Sequence, residues 1–120
     1  MITTKIFVIH NWEYHHDYLQ LILSLKKMNP RIIDLSIPVT DKSNLQSHNK
    51  AIEQYIESRI IESNQVLVLT SGLKVERYWI RKELDLTYKH NKTLISVSLT
   101  PGAIPEWIQE YVRIHWYLEK

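Results

Sequence analysis

Short apolar runs alternate along the chain with segments whose apolar residues recur every three or four positions. KIFVIH (5–10), RIIDLS (31–36), QVLVLT (65–70), TLISVSL (93–99) and VRIHWY (112–117) have the length and the β-branched or aromatic content of strands. The first, third and fourth are apolar at successive positions and so on both faces, as parallel strands covered by helices on each side must be. Between the runs, Tyr14, Tyr18, Leu21, Ile22, Leu25 and Met28 form one helical stripe, ended by Asn29-Pro30. Ala51, Ile52, Tyr55, Ile56 and Ile60 form a second over 47–62, with Ser47 as its N-cap. Segment 75–90 reads as a third helix. Pro105, pre-shaped for a first helical turn, opens a short fourth.

Strand and helix alternating five times imply a parallel sheet with right-handed crossovers. The predicted fold is a three-layer α/β, flavodoxin-like domain over 1–120, its five parallel strands ordered 2-1-3-4-5. In that topology ligands sit beyond the carboxyl ends of the strands, near the switch between strands one and three. The candidate site is therefore built from His10-Asn11-Trp12-Glu13 and Thr70-Ser71-Gly72-Leu73, with the third helix beginning beside them.

Composition narrows the chemistry. A net charge of +2, with the basic residues dispersed, gives no stripe for neutralising nucleic-acid phosphates. The absence of cysteine excludes disulfides, thiolate metal sites and a cysteine nucleophile. No apolar run approaches the ~20 residues that cross a bilayer, and no signal-peptide pattern opens the chain; a cytoplasmic protein without a membrane partner is expected. The loop HNWEYHH has no glycine, so a phosphate-cradling flavin or dinucleotide loop is not expected there. Strand three ends in Thr70 where a phospho-accepting receiver would need an aspartate. His10, His15 and His16 with Asp17 are metal-ligand types, but Tyr14 and Tyr18 already define the buried face, so these histidines are expected to face solvent and no metal is expected.

The third helix carries an anomaly. At about 100° per residue from Trp79, Glu83 falls near ~40°, among Ile80 (~100°), Leu86 (~340°) and Thr87 (~80°). Arg81, Lys82, Asp85 and Lys89 fall together between roughly 200° and 300°, a solvated face with ordinary helix ion pairs around Asp85. Glu83 thus sits inside the apolar stripe, where a carboxylate is costly unless partnered or lining a cavity. A paired structural glutamate and a cleft-facing functional one both satisfy the pattern.

In order along the chain, KIFVIHNWEY, IDLSIPVTDKSN, VLVLTSG, YWIRKEL and KTLISVSL resemble the TIR-like (Toll/interleukin-1 receptor) fold, and most closely the short bacterial Thoeris ThsB-type TIR-like proteins of anti-phage defence. The resemblance implies cleavage of the nicotinamide–ribose bond of NAD, in a glycohydrolase or ADP-ribosyl cyclase manner, with NAD as substrate and no separate cofactor. The glutamate of the W-x-x-x-E segment, required in catalytic TIR domains, is Glu83 here. His10, Asn11, Trp12, Thr70, Ser71 and Trp79 would line the pocket, with Trp12 or Trp79 stacking on nicotinamide or adenine. Segment 35–44, with Ser36, Ile37, Pro38 and Asp41, corresponds to a loop that gates the site and takes part in self-association. The implied product is an ADP-ribose-derived signal read by a separate effector. A non-enzymatic TIR-like adaptor or nucleotide-binding module is the alternative. Relatives commonly carry serine where Ile9 stands, so a polar group at the mouth of the site is expected to be missing.

Overall fold

The computed structural model describes residues 3–36, 50–102 and 104–118. Along the chain come β1 (Thr4–Ile9), a 3-10 turn (Trp12–Tyr14), α1 (His15–Met28), β2 (Ile32–Asp34) and α2 (Lys50–Glu62). Then follow β3 (Gln65–Leu69), α3 (Tyr78–Lys89), β4 (Leu94–Ser98), α4 (Glu106–Gln109) and β5 (Ile114–Tyr117). The strands pair in parallel in the order β2-β1-β3-β4-β5, as the alternation predicts. The expected N-cap Ser47 lies outside the described residues, as do Ile37, Pro38 and Asp41 of the expected gating loop.

Alternate residues of each central strand enter opposite layers, as the two-residue pleat requires. Phe7, Ile9, Val66 and Val68 pack with Ile56 and Ile60 of α2 and with Ile80 and Leu84 of α3. Ile6, Val8, Leu67 and Leu69 pack with Tyr18, Leu21 and Leu25 of α1. Each such aliphatic side chain contributes about 1.5–3 kcal/mol on leaving water.

Two helical stripes are narrower than expected. Tyr14 is 46% exposed because it lies in the 3-10 turn, whose tighter pitch puts it out of phase with α1, and Met28, in the last turn, is 65% exposed. In α2 the buried arc centres on Ile56 and Ile60; Tyr55 lies outside it, with the Arg59 guanidinium 5.3 Å from its ring.

α3 buries Ile80, Glu83, Leu84, Leu86 and Thr87. Asp85 faces outward as expected, but its basic neighbours pair elsewhere. Arg81 reaches Glu76 at 2.8 Å, Lys82 reaches Glu53 at 3.2 Å and Lys89 reaches Glu57 at 3.1 Å. Asp85 instead accepts the Tyr111 hydroxyl at 2.6 Å. Long side chains at these positions reach neighbouring segments more readily than they fold along their own helix. The consequence is mechanical: α3 is held to α2 on one side and to the chain around α4 on the other.

A further tie fixes the loop after β3. The Trp107 indole N–H donates to the Leu73 carbonyl at 2.7 Å, and Leu73 is fully buried. Trp107→Phe leaves that acceptor without its donor, a loss of about 1–3 kcal/mol. A urea midpoint measurement should show the decrease; wild-type stability in the variant would contradict the role of this bond.

Candidate active site

The site begins where β1 stops. Asn11 caps the 3-10 turn: its Oδ1 accepts the Glu13 N–H at 3.0 Å, while its Nδ2 donates to the Gly72 carbonyl at 2.9 Å. One amide thus joins the loop after β1 to the loop after β3. Gly72 has φ +71, and a Cβ there would overlap the Tyr14 ring and approach Asn11 Nδ2 to 2.8 Å. Both the backbone conformation and the space demand glycine at this position.

The histidines do not all face solvent. His10 is buried, its ring stacked nearly parallel on Tyr18 with centroids 4.2 Å apart. Its Nδ1 lies 3.3 Å from the Val8 carbonyl. His15 is half-buried with its ring centroid 5.2 Å from that of Tyr18, and only His16 of the three is exposed. The Tyr18 ring thus gathers His15 from its own helix and His10 from the end of β1. Among the described residues, no group of three or more His, Cys, Asp or Glu could hold a metal ion.

Tyr18 in turn donates its hydroxyl to Asp34, whose other oxygen accepts the Ser36 N–H at 2.9 Å. Burial first, and then the Asp34 carboxylate, push the Tyr18 phenol well above its ordinary pKa. Ser36 Oγ accepts the Val8 N–H at 2.8 Å, so this residue of the expected gating loop ties the exit of β2 to β1.

At the carboxyl end of β1, a cleft of about 180 Å³ opens between the 3-10 turn and the start of α3. His10, Asn11, Ile80 and Glu83 line it together with the aromatic side chains of Trp12, Tyr78 and Trp79, and Arg77 borders it. Tyr78 and Trp79 meet edge to face at 5.3 Å, and Trp12 is 37% exposed. Trp79 has a second role, packing against the core beneath α3. Glu83 lines this cleft yet is 0% exposed to bulk water. Its backbone carbonyl accepts the Thr87 hydroxyl at 2.8 Å, within the turn that buries both residues.

Of the expected pocket residues, His10, Asn11, Trp12, Trp79 and Glu83 meet in this cleft. Thr70 and Ser71 line a neighbouring, larger one of about 800 Å³. There Thr70 Oγ1 lies 2.7 Å from Ser98 Oγ, and Ser71 Oγ donates to Asp17 at 2.7 Å. Ile9 is not at the mouth of the cleft. It is wholly buried in the core layer beneath α3, because its place in β1 turns its side chain into the sheet's packed face.

The sequence reading missed Arg77 and Tyr78. Arg77 is the N-cap of α3 with an extended backbone (φ −127°, ψ 143°), so its position cannot be read from the helical wheel. The aromatic pair directly after it, at a helix start beside the expected ligand crevice, is the signal that could have pointed there. In sum, the cleft offers aromatic faces for a flat ring, a carboxylate for a developing positive charge and a guanidinium at its edge.

Two outcomes follow from this geometry. Gly72→Ala should lose about 1–3 kcal/mol, since it imposes φ strain and disturbs the Asn11 bridge; chemical denaturation reads the loss, and an unchanged midpoint would refute it. Unfolded tyrosines ionise near pH ~10, whereas folded Tyr18 keeps its proton. Above that pH the unfolded state binds fewer protons than the folded one, and stability falls as pH rises. Tyr18→Phe should remove part of this alkaline slope, and an identical slope in the variant would contradict the Tyr18–Asp34 assignment.

A family model described as the Thoeris protein ThsB, TIR-like domain, matches residues 7–102, well over half of the chain. The match runs from β1 through α3 and β4 and so includes both clefts' main walls. No curated protein matches the chain at a significant level.

Proposed function

The chain belongs to the Thoeris ThsB TIR-like domain family, and from that membership we propose that it acts in anti-phage defence as an enzyme that cleaves the nicotinamide–ribose bond of NAD. The single observation that carries this reading is Glu83, a carboxylate lining an aromatic cleft at the carboxyl end of the sheet.

The chemistry requires few groups. The nicotinamide of NAD is a pyridinium cation, which Trp12, Tyr78 and Trp79 can hold by ring and cation–π contact. As the C1′–N bond breaks, its electron pair passes to the ring nitrogen and nicotinamide leaves neutral, so no general acid is needed. Positive charge moves onto the ribose, where the Glu83 carboxylate stabilises the oxocarbenium ion or briefly traps it. A nucleophile then adds at C1′ and loses its proton. Water gives ADP-ribose, and a nucleophilic atom of the substrate or of a second molecule gives a cyclic or conjugated product.

Because Glu83 has no surface open to bulk water, the aromatic rim must shift before a ribose can reach it. An enzyme at rest until triggered or assembled fits that geometry. Self-association through TIR-like surfaces and a separate effector that responds to the product complete the proposal. The same closure favours a second reading, a non-enzymatic adaptor in which Glu83 is structural.

Nicotinamide release from NAD, followed with concentrated protein and in lysates of phage-challenged cells that express it, tests the assigned role of Glu83. Glu83→Gln should lower release by about 10²-fold or more while leaving the thermal midpoint near wild type. Release undiminished in the variant would sink the assigned role.

A further inference from the structure

We propose that Arg77 anchors the diphosphate of a dinucleotide that spans both clefts, with its nicotinamide end in the aromatic cleft and the remainder in the larger polar one. This rests on the reading of the aromatic cleft as a nucleotide site, and extends it to a residue and a cleft outside that reading.

Size is the first argument. The aromatic cleft, at about 180 Å³, takes a ring and little more, whereas sites for whole ligands of this class span roughly 300–1,000 Å³. The rest of a dinucleotide must leave over the cleft's border. Asn11 and Arg77 line both this cleft and the neighbouring one of about 800 Å³. The larger cleft is bordered by hydroxyls of Thr70, Ser71, Ser98 and Thr100 and by the Lys74 ammonium. Those are groups suited to sugar hydroxyls and an anion, and among the described residues Tyr14 is the one aromatic side chain that lines this cleft.

The second argument concerns which border residue is available. Asn11 uses both ends of its amide to hold the two loops together. Arg77 is far less committed. Its Nη1 lies 3.4 Å from Glu13 Oε1, with the two side chains 40% and 52% exposed, and such a pair contributes little. Its Nε is buried and has no hydrogen-bond partner among the described residues. A guanidinium presents a planar fork of donors that matches phosphate oxygens two at a time. Glu13 also borders the larger cleft. Its carboxylate therefore competes for the fork, and an arriving diphosphate must displace it.

That competition gives two substitutions of opposite sign. Calorimetric titration of the full chain with ADP-ribose, and separately with nicotinamide, reads each half. Arg77→Ala should weaken ADP-ribose at least ~10-fold, the effect of one charge-assisted hydrogen bond, and leave nicotinamide within about 2-fold. Arg77→Lys should restore only part, because an ammonium lacks the fork. Glu13→Gln should tighten ADP-ribose. The anchor is overturned if Arg77→Ala binds ADP-ribose like wild type, if both ligands weaken alike, or if wild type does not bind ADP-ribose. ADP-ribose binding needs no turnover, so the two proposals fail separately. Arg77-dependent binding with no Glu83-dependent cleavage, at rest and in phage-challenged cells alike, refutes the enzyme reading and leaves the anchor standing. Glu83-dependent cleavage with Arg77-independent binding does the reverse.

Discussion

The functional end of this molecule depends on one side-chain amide. Asn11 caps the turn after β1 and donates to Gly72 in the loop after β3, closing the crevice at the point where the strand order reverses. Everything lining the aromatic cleft from the β1 side, Trp12 above all, takes its position from that turn. The bridge in turn needs Gly72 to lack a side chain, since the Tyr14 ring occupies the space a Cβ would take. A ladder of parallel strands supplies the platform, but this pair of hydrogen bonds aims the loops.

α3 supplies the opposite wall, and its placement is over-determined. Apolar packing sets its depth, ion pairs to Glu53 and Glu57 hold it to α2, and Arg81 holds it to the chain around α4. A helix so fixed can carry a carboxylate in its buried face with little freedom to swing away. In the proposed reaction that rigidity serves Glu83, because preorganised groups need no rearrangement as a charge forms. At the rim of the cleft, Trp12 and Tyr78 are the more exposed side chains.

The order of elements was legible because it follows from period, and the strand order because five alternating strands suit the flavodoxin-like arrangement: runs that are apolar at every position must be central, and the stripes between them must be helices. Glu83 was legible as an anomaly for the same reason, since a wheel reports a charge on an apolar face without knowing the partner. What period cannot report is the reach of side chains across segments. His10 and His15 gather on Tyr18, and Asp85 takes Tyr111 in place of its helix neighbours. Thr70 and Ser71 sit in a different cleft from Glu83 although all three belong to the same end of the sheet. The Asp85–Tyr111 contact and the separation of the two clefts depend on residues distant in sequence, where local pattern carries no signal. Family resemblance added the chemistry proposed for Glu83 but could not supply the Arg77 border, which lies just outside the helical register.

The central claim is that the cleft beside Trp12 brings the nicotinamide end of NAD to Glu83. Mass spectrometry of nucleotides from phage-challenged cells expressing either wild type or Glu83→Gln tests it most directly. The account predicts free nicotinamide and an ADP-ribose-derived product in the wild type, both absent from the variant. Identical nucleotide profiles in the two, with both proteins present at equal levels, would contradict it.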